Sequence, residues 1–162
     1  MISKTNLKRE AHIKVLVTRV NKAGVSANGK LVSSIAKGIA VFVGLQKGDS
    51  AANLAPMAQK IVNLRIFEDD QGRMNYCVKD GDYQILCVSN FTLCANTDKG
   101  RRPSFENSMP KQEADKLFSD FLLVLGASGL AVQSGAFGDH MDIDLDLDGP
   151  VNIILSNVPS II

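Results

Sequence analysis

The sequence has few cysteines, no long apolar run and almost no net charge. Its three cysteines, Cys77, Cys87 and Cys94, form an odd set without C-x-x-C spacing, which predicts neither a disulfide framework nor a zinc site and suits the reducing cytoplasm. The longest apolar runs, such as residues 39–45, are much shorter than the roughly 20 residues that cross a bilayer, so no membrane span is expected. A net charge of +1 gives no general attraction to polyanions, so any contact with RNA has to come from a local basic patch.

Length and composition indicate a single domain. A chain of 162 residues, 45% of them hydrophobic, can bury one continuous core but is short for two domains. Residues 1–12 contain charged side chains but neither the apolar segment nor the cleavage site of a secretory signal, so we interpret them as a polar extension. Residues 13–162 are predicted to form the domain.

The apolar periodicity predicts strands interrupted by two helices. Strands are expected at residues 13–20, 24–26, 31–35, 39–45, 83–93, 131–134, 141–147 and 151–155, and amphipathic helices at residues 51–66 and 112–125. The Asn28-Gly29 dipeptide is typical of a hairpin turn, and Pro56 falls early enough in the first helix to be tolerated. These elements predict an α+β domain with a mostly antiparallel, barrel-like sheet and two covering helices.

The sequence does not support a catalytic triad. Neither His12 nor His140 has an identifiable partner, and no serine lies in a G-x-S-x-G turn. His140 could act as a general base, but a surface or capping histidine is the simpler interpretation. Cys94 could act as a nucleophile, but a buried, inert thiol is favoured because only the distant Lys99 would help to ionise it.

Aspartates alternate with apolar residues near the end of the chain. They are Asp142, Asp144, Asp146 and Asp148. A strand would place all four carboxylates on one face, where a cation would relieve their repulsion. A solvated face that discourages pairing with another sheet edge explains the same pattern without a ligand. We therefore predict no metal site and no cofactor.

Two short segments have both a structural and a functional interpretation. Ser89, Asn90 and Thr92 bring two hydroxyls and an amide to the end of a predicted strand, where they either line a polar pocket or satisfy nearby backbone groups. Gly149-Pro150 is either a turn between strands or, with a cis bond, a rigid device that aims carbonyl oxygens at a ligand.

A basic loop follows the strand that contains Ser89. Its cations are Lys99, Arg101 and Arg102. Flexible charges of this kind can contact phosphates, although a solvated loop would have the same composition.

Taken together, several segments resemble the D-aminoacyl-tRNA deacylase family. The matching stretches, in the family's order, are KIVNLRIFED at residues 60–69, SNFTL at 89–93, KGRRPSF at 99–105, FG at 137–138 with Met141, and DGPV at 148–151. The resemblance extends from about residue 13 to residue 155. Several independent motifs in register argue against an accidental match.

The resemblance implies a cytoplasmic homodimer that hydrolyses the ester bond of D-aminoacyl-tRNA. In such a dimer, Gly149 and Pro150 of one subunit enter the partner's pocket, hold the α-amino group of a D-amino acid and leave no room for an L side chain. Glycine has no side chain to exclude, so glycyl-tRNA is also an implied substrate. The implied catalytic residues are Ser89, Asn90, Phe91 and Thr92. Main-chain N–H groups near Phe91 and Thr92 would stabilise the oxyanion while the neighbouring ribose hydroxyl assists.

The same resemblance implies how the tRNA is held. Phe137 and Met141 would form the wall around the terminal adenosine, since stacking favours RNA ends with unpaired bases. Lys99, Arg101 and Arg102 would steer the acceptor stem. Thr92 as a covalent nucleophile is a less favoured alternative, because the sequence shows no base to activate it.

Three positions depart from the family pattern. Asn90 replaces the glutamine of S-Q-x-x-L, and Leu147 and Asn152 replace the asparagine and threonine of N-x-G-P-x-T. These departures keep two alternatives open. One is an editing paralogue with altered stereospecificity that acts on L-aminoacyl-tRNA, and the other is a non-catalytic nucleic-acid-binding dimer.

Overall fold

The structure, a computed structural model, describes residues 12–156. The polar extension predicted for residues 1–12 lies outside the described residues except for His12, as do residues 157–162 of the predicted domain. In chain order the elements are β1 (Lys14–Ala27), β2 (Lys30–Ile35), β3 (Gly38–Gly44), α1 (Ala51–Val62), β4 (Phe67–Glu68), β5 (Met74–Tyr76), β6 (Gln84–Ser89), α2 (Lys111–Gly126), β7 (Ala131–Ser134) and β8 (Asp142–Leu155). Short 3-10 helices occur at Val78–Asp80 and Phe91–Cys94.

β1 is the centre of the sheet, because it pairs antiparallel with β2, β3 and β8. The β3–β6 and β6–β7 pairings are parallel, since α1 and α2 carry the chain back between these strands. The Ser33 hydroxyl of β2 donates to the Ser134 carbonyl oxygen of β7 at 2.7 Å and brings the two ends of the sheet together. The predicted α+β, barrel-like domain with two helices is confirmed, and the parallel pairs make its sheet mixed.

The Asn28-Gly29 hairpin joins β1 and β2 as predicted. Both residues have positive φ angles, 52° and 73°, which is the backbone conformation that the tight turn of a right-twisted hairpin requires. Asparagine and glycine are the residues that reach this conformation at least cost, so the dipeptide determines where the chain reverses.

α1 ends earlier than the predicted residue 66. The Asn63 side chain donates to the Gln59 carbonyl oxygen at 2.7 Å and satisfies an acceptor that the last turn would otherwise leave free. Pro56 lies inside the helix rather than in its first turn. α2 agrees with its predicted range to within one residue at each end.

The sheet separates two apolar cores. Ile85 and Cys87 of β6 face the helices, while Leu86 and Val88 face the interior of the barrel. Alternate residues of a strand point to opposite faces, so β6 contributes to both cores. The helix-side core also contains Leu54, Met57 and Ile61 of α1 and Phe118, Phe121 and Leu125 of α2.

β8 is one strand, which corrects the prediction of separate strands at residues 141–147 and 151–155. Val20 of β1 pairs with Leu147, whereas Thr18 pairs with Asn152, so the extra residues of β8 form an irregularity in the ladder. Proline cannot donate to a ladder, and Pro150 lies within this irregularity.

Three of the four alternating aspartates of β8 face solvent, whereas Asp148 is half-buried and its carboxylate lies 3.3 Å from the Arg19 Nε. Asp142, Asp144 and Asp146 are exposed, whereas Ile143 and Leu145 between them are half-buried. This pattern supports the solvated-face interpretation of the sequence.

Candidate active site

A cavity of about 580 Å³ opens where β6 ends. This volume falls within the roughly 300–1,000 Å³ of typical small-molecule sites. The predicted site residues that line it are Ser89, Asn90, Phe91, Thr92, Phe137 and Met141. The structure therefore gathers two segments that are more than forty residues apart in the sequence.

Much of the cavity wall consists of residues that the sequence did not mark as part of a site. They are Phe42, Leu45, Val88, Ser108, Met109, Lys111, Ala114, Asp139 and Ile143, and Gly138 was marked only as part of the FG motif. Most of them were recognisable only as apolar residues of strands and helices, and periodicity does not distinguish a core-facing residue from a cavity-facing one. His140, interpreted above as a surface residue, lies at the rim with a side chain 94% exposed.

The cavity lies between the two cores. Leu45 and Met109 belong to the helix-side core, and Val88 belongs to the core inside the barrel. Met141 and Ile143 pack against the latter from the loop before β8 and from β8 itself. Side chains of both cores therefore form the wall.

The segment after β6 is a 3-10 helix, which corrects the prediction of a strand through residue 93. The Asn90 N–H donates to the Val43 carbonyl oxygen at 2.8 Å and holds the segment against β3. The Asn90 side-chain oxygen accepts from the Thr92 N–H at 3.2 Å and from the Thr92 hydroxyl. A short polar side chain that bonds the backbone two residues ahead favours a turn over a continued strand.

These bonds determine which donors of the segment are already used. The Thr92 N–H and hydroxyl both donate to Asn90, whereas the Phe91 N–H donates to no acceptor within residues 12–156. Within the same described range, the partner of the Thr92 hydroxyl is an amide oxygen rather than a base. The arrangement provides a main-chain donor at Phe91 and no activation of Thr92.

The loop between β7 and β8 forms the opposite wall. Phe137 packs its ring against Phe118 of α2, with ring centroids 5.9 Å apart. A side chain at Gly135 would place its Cβ 2.8 Å from the Met141 sulfur, so glycine makes room for Met141 beside Val88. Aromatic and thioether groups give this wall an apolar surface suited to a flat ring.

The predicted basic residues lie on an exposed loop and do not line the cavity. They are Lys99, Arg101 and Arg102. Asn96 and Ser104 close the loop with reciprocal main-chain hydrogen bonds of 2.8 and 2.9 Å. The Phe105 ring, just beyond the loop, contacts the Phe91 ring edge-on with a centroid separation of 5.0 Å, so the end of the loop lies close to the segment from Ser89 to Thr92.

Gly149 and Pro150 are joined by a cis bond, are exposed and do not line the cavity of their own chain. The buried Arg19 side chain lies beneath them. Its Nε donates to the Asp148 carbonyl oxygen at 2.9 Å, and its Nη1 donates to the Ile66 carbonyl oxygen at 2.6 Å. Arg19 therefore ties the residue before the dipeptide to the connection between α1 and β4.

Between His12 and Ser156, no three histidine, cysteine, aspartate or glutamate side chains are grouped as metal ligands.

In the same part of the chain, no helix combines the length and apolarity needed to cross a membrane.

Comparisons with known proteins identify a family. The model of the D-Tyr-tRNA(Tyr) deacylase family matches residues 16–156. The chain belongs to this family. This deacylase-family chain is 45% identical over 141 residues to the D-aminoacyl-tRNA deacylase of Thermodesulfovibrio yellowstonii, which covers 87% of the chain and 97% of the relative. It is 43% identical over 145 residues to the D-aminoacyl-tRNA deacylase of Clostridium perfringens. That match covers 90% of the chain and 97% of the relative.

Solved structures of the deacylase fold also match. The c-Myc DNA unwinding element binding protein superposes with a TM-score of 0.83 at 39% identity, over 88% of this chain and 97% of that one. A probable eukaryotic D-amino acid tRNA deacylase superposes with a TM-score of 0.78 at 18% identity, over 90% of this chain and 100% of that one. At this low identity the likeness shows the fold alone.

The positions that depart from the deacylase pattern have identifiable surroundings. Asn90 caps the 3-10 helix as described above. Leu147 is 48% exposed and pairs with Val20. Asn152 is exposed and pairs with Thr18, whose buried hydroxyl has no hydrogen-bond partner within residues 12–156.

The cysteines of this deacylase-family chain should be unreactive in the native state. Burial raises the pKa of the Cys87 and Cys94 thiols, and Cys77 is buried as well. We expect N-ethylmaleimide to label the native protein slowly and to leave its activity unchanged, whereas all three thiols should react in guanidinium chloride. Rapid labelling of Cys94 with loss of activity would contradict the inert-thiol interpretation, and mass spectrometry of labelled peptides distinguishes the sites.

Proposed function

We propose that this chain hydrolyses the ester bond of D-aminoacyl-tRNA and of glycyl-tRNA, as a quality-control enzyme of translation in the cytoplasm. The observation that carries the proposal is the single cavity that joins the segment from Ser89 to Thr92 with the apolar wall of Phe137 and Met141. The names of the relatives at 43–46% identity support the reaction. The products are the free amino acid and tRNA with its terminal ribose hydroxyl restored.

Hydrolysis in this site needs no covalent intermediate with the protein. The oxygen of water attacks the ester carbonyl carbon, the bond to the ribose oxygen breaks, and that oxygen takes up a proton. The Phe91 N–H, which has no acceptor within residues 12–156, stabilises the negative charge on the carbonyl oxygen, a contribution of about 3 kcal/mol in comparable sites. The neighbouring ribose hydroxyl of the substrate assists the attack, so the protein itself supplies no general base.

Selectivity for D-amino acids requires a second copy of the chain. Gly149 and Pro150 are exposed and absent from the wall of their own cavity, which supports a homodimer in which they enter the partner's cavity. Their carbonyl oxygens accept from the α-amino group of a D-amino acid, and the rigid main chain occupies the space that an L side chain needs. The exposed Lys99, Arg101 and Arg102 contact the acceptor stem through its phosphates.

The test is deacylation of matched D-, L- and glycyl-tRNA by the purified protein, with and without a chelator. The D- and glycyl-esters should be cleaved about 100-fold faster than the L-ester, and the chelator should have no effect. Faster loss of the L-ester would instead favour the editing paralogue, and reverting Asn90, Leu147 and Asn152 to the family residues should then restore D-selectivity.

A non-catalytic nucleic-acid-binding dimer is the second candidate. The observation that favours it is the 39% identity to a protein named for binding a DNA unwinding element. This candidate predicts that no ester is cleaved while tRNA or duplex DNA still binds, so a binding titration beside the deacylation assay separates the two functions.

A further inference from the structure

Lys111, the first residue of α2, lies along the wall of the cavity. Its side chain crosses Gly138, the residue after Phe137. A side chain at Gly138 would place its Cβ 2.7 Å from the Lys111 Cε and 2.9 Å from the Nζ. The Lys111 ammonium therefore lies over the main chain of Gly138, where a φ of 77° favours glycine, and next to Phe137 of the apolar wall.

The fold gains little from this ammonium group. Lys111 forms no ion pair with any carboxylate of residues 12–156, including Asp139, which lines the same cavity. The N-terminal turn of a helix carries a partial positive charge, so a lysine there is electrostatically unfavourable. A positive charge that is neither neutralised nor favoured by its own helix is available for an anionic ligand.

We propose that Lys111 binds the phosphate that joins the terminal adenosine of the tRNA to the preceding nucleotide. This inference rests on the proposed function. With the base against Phe137 and Met141 and the ester near Phe91, the 5′-phosphate is the group of the terminal nucleotide that carries a full negative charge. A lysine ammonium is a compact point charge that pairs well with phosphate. Lys111 is thus a substrate-binding residue, distinct from the basic loop.

The decisive experiment compares two small substrates that differ only in this phosphate. They are the 3′-O-D-aminoacyl esters of adenosine and of adenosine 5′-monophosphate. In Lys111→Gln, KM for the phosphorylated ester should rise about three- to tenfold, and less at high salt, while KM for the unphosphorylated ester stays unchanged. The kcat for both esters should be unaffected.

Lys116→Gln is the matched control. Lys116 is exposed on the same helix and does not line the cavity, so its replacement removes an equal charge elsewhere. Lys116→Gln should leave both KM values unchanged. Thermal unfolding should show Lys111→Gln to be at least as stable as the wild type, since it removes a cation from a helix N-terminus.

An equal rise of KM for both esters, or no rise for either, would overturn the proposal. If the wild type cleaves neither ester nor any aminoacyl-tRNA, the proposed function fails, and calorimetric titration of adenosine and adenosine 5′-monophosphate then tests Lys111 by itself. The proposal requires that Lys111→Gln weakens binding of the nucleotide and not of the nucleoside, and equal affinities in the wild type and variant would overturn it.

Discussion

Replacing Arg19 by methionine should lower the free energy of unfolding by about 3 kcal/mol, because it leaves buried acceptors unpaired. The arginine side chain is 6% exposed, donates to the carbonyl oxygens of Ile66 and Asp148, and lies 3.3 Å from an Asp148 carboxylate oxygen. Glu68 adds a longer ion pair of 3.8 Å. Methionine replaces the aliphatic part of the arginine side chain but can donate to none of these groups. Urea denaturation followed by circular dichroism measures the loss.

The same substitution should also reduce discrimination between D- and L-aminoacyl-tRNA, since Arg19 holds the residue before Gly149. Arg19→Lys should lose less stability than Arg19→Met, because the lysine ammonium keeps the positive charge. It should still be less stable than the wild type, because one ammonium cannot reach both carbonyl oxygens. Arg73→Met is the matched control. Arg73 has a side chain 69% exposed, and its partner Asp69 also accepts from the main-chain N–H groups of Gln71 and Arg73, which the substitution keeps, so its loss should cost less than about 0.5 kcal/mol. If Arg19→Met were as stable and selective as Arg73→Met, the positioning role of Arg19 would be wrong.

A dimer of two differently damaged subunits should recover about half of wild-type activity. One variant, Phe137→Ala with Met141→Ala, removes the apolar wall and keeps the dipeptide. The other, Gly149→Ala, keeps the wall and displaces the dipeptide, because a Cβ at Gly149 would lie 2.2 Å from the Val151 main-chain nitrogen. In the mixed dimer, one cavity has an intact wall and receives an intact dipeptide from its partner.

The experiment uses co-expressed subunits with different affinity tags, purified over both tags. Each variant alone should cleave D-aminoacyl-tRNA at least tenfold more slowly than the wild type or lose its preference for the D-ester. If each dipeptide served its own chain, the mixed dimer would be as defective as its components. Circular dichroism of each variant checks that both remain folded.

Local sequence patterns predicted most of the fold, because turns and helices are determined mainly by residues close together in the chain. The Asn28-Gly29 turn and both helices follow from residues that act within a few positions of themselves. The parallel pairing of β3 with β6 does not, because a crossover connection brings together strands about forty residues apart. Likewise, the end of β6 depends on the Asn90 side chain, whose hydrogen bonds to Thr92 favour a turn over a continued strand.

The candidate site was predictable only through its motifs. The resemblance selected residues 89–92, Phe137 and Met141, and the structure brings them into one cavity. Lys111 carries no sequence signal, since only the folded chain brings its side chain to Gly138, in a different loop. The role of Arg19 was equally hidden, because its partners lie 47 and 129 positions away in the chain.

The location of the cavity between two cores couples substrate binding to the stability of the whole domain. A ligand held by Val88 on one side and by Leu45 and Met109 on the other contacts both cores at once. Local opening of either core would release the ligand. A bound substrate therefore lowers, by mass action, the fraction of molecules in which either core is open. Hydrogen exchange should therefore slow in the interior of the barrel and under the helices together when the site is occupied.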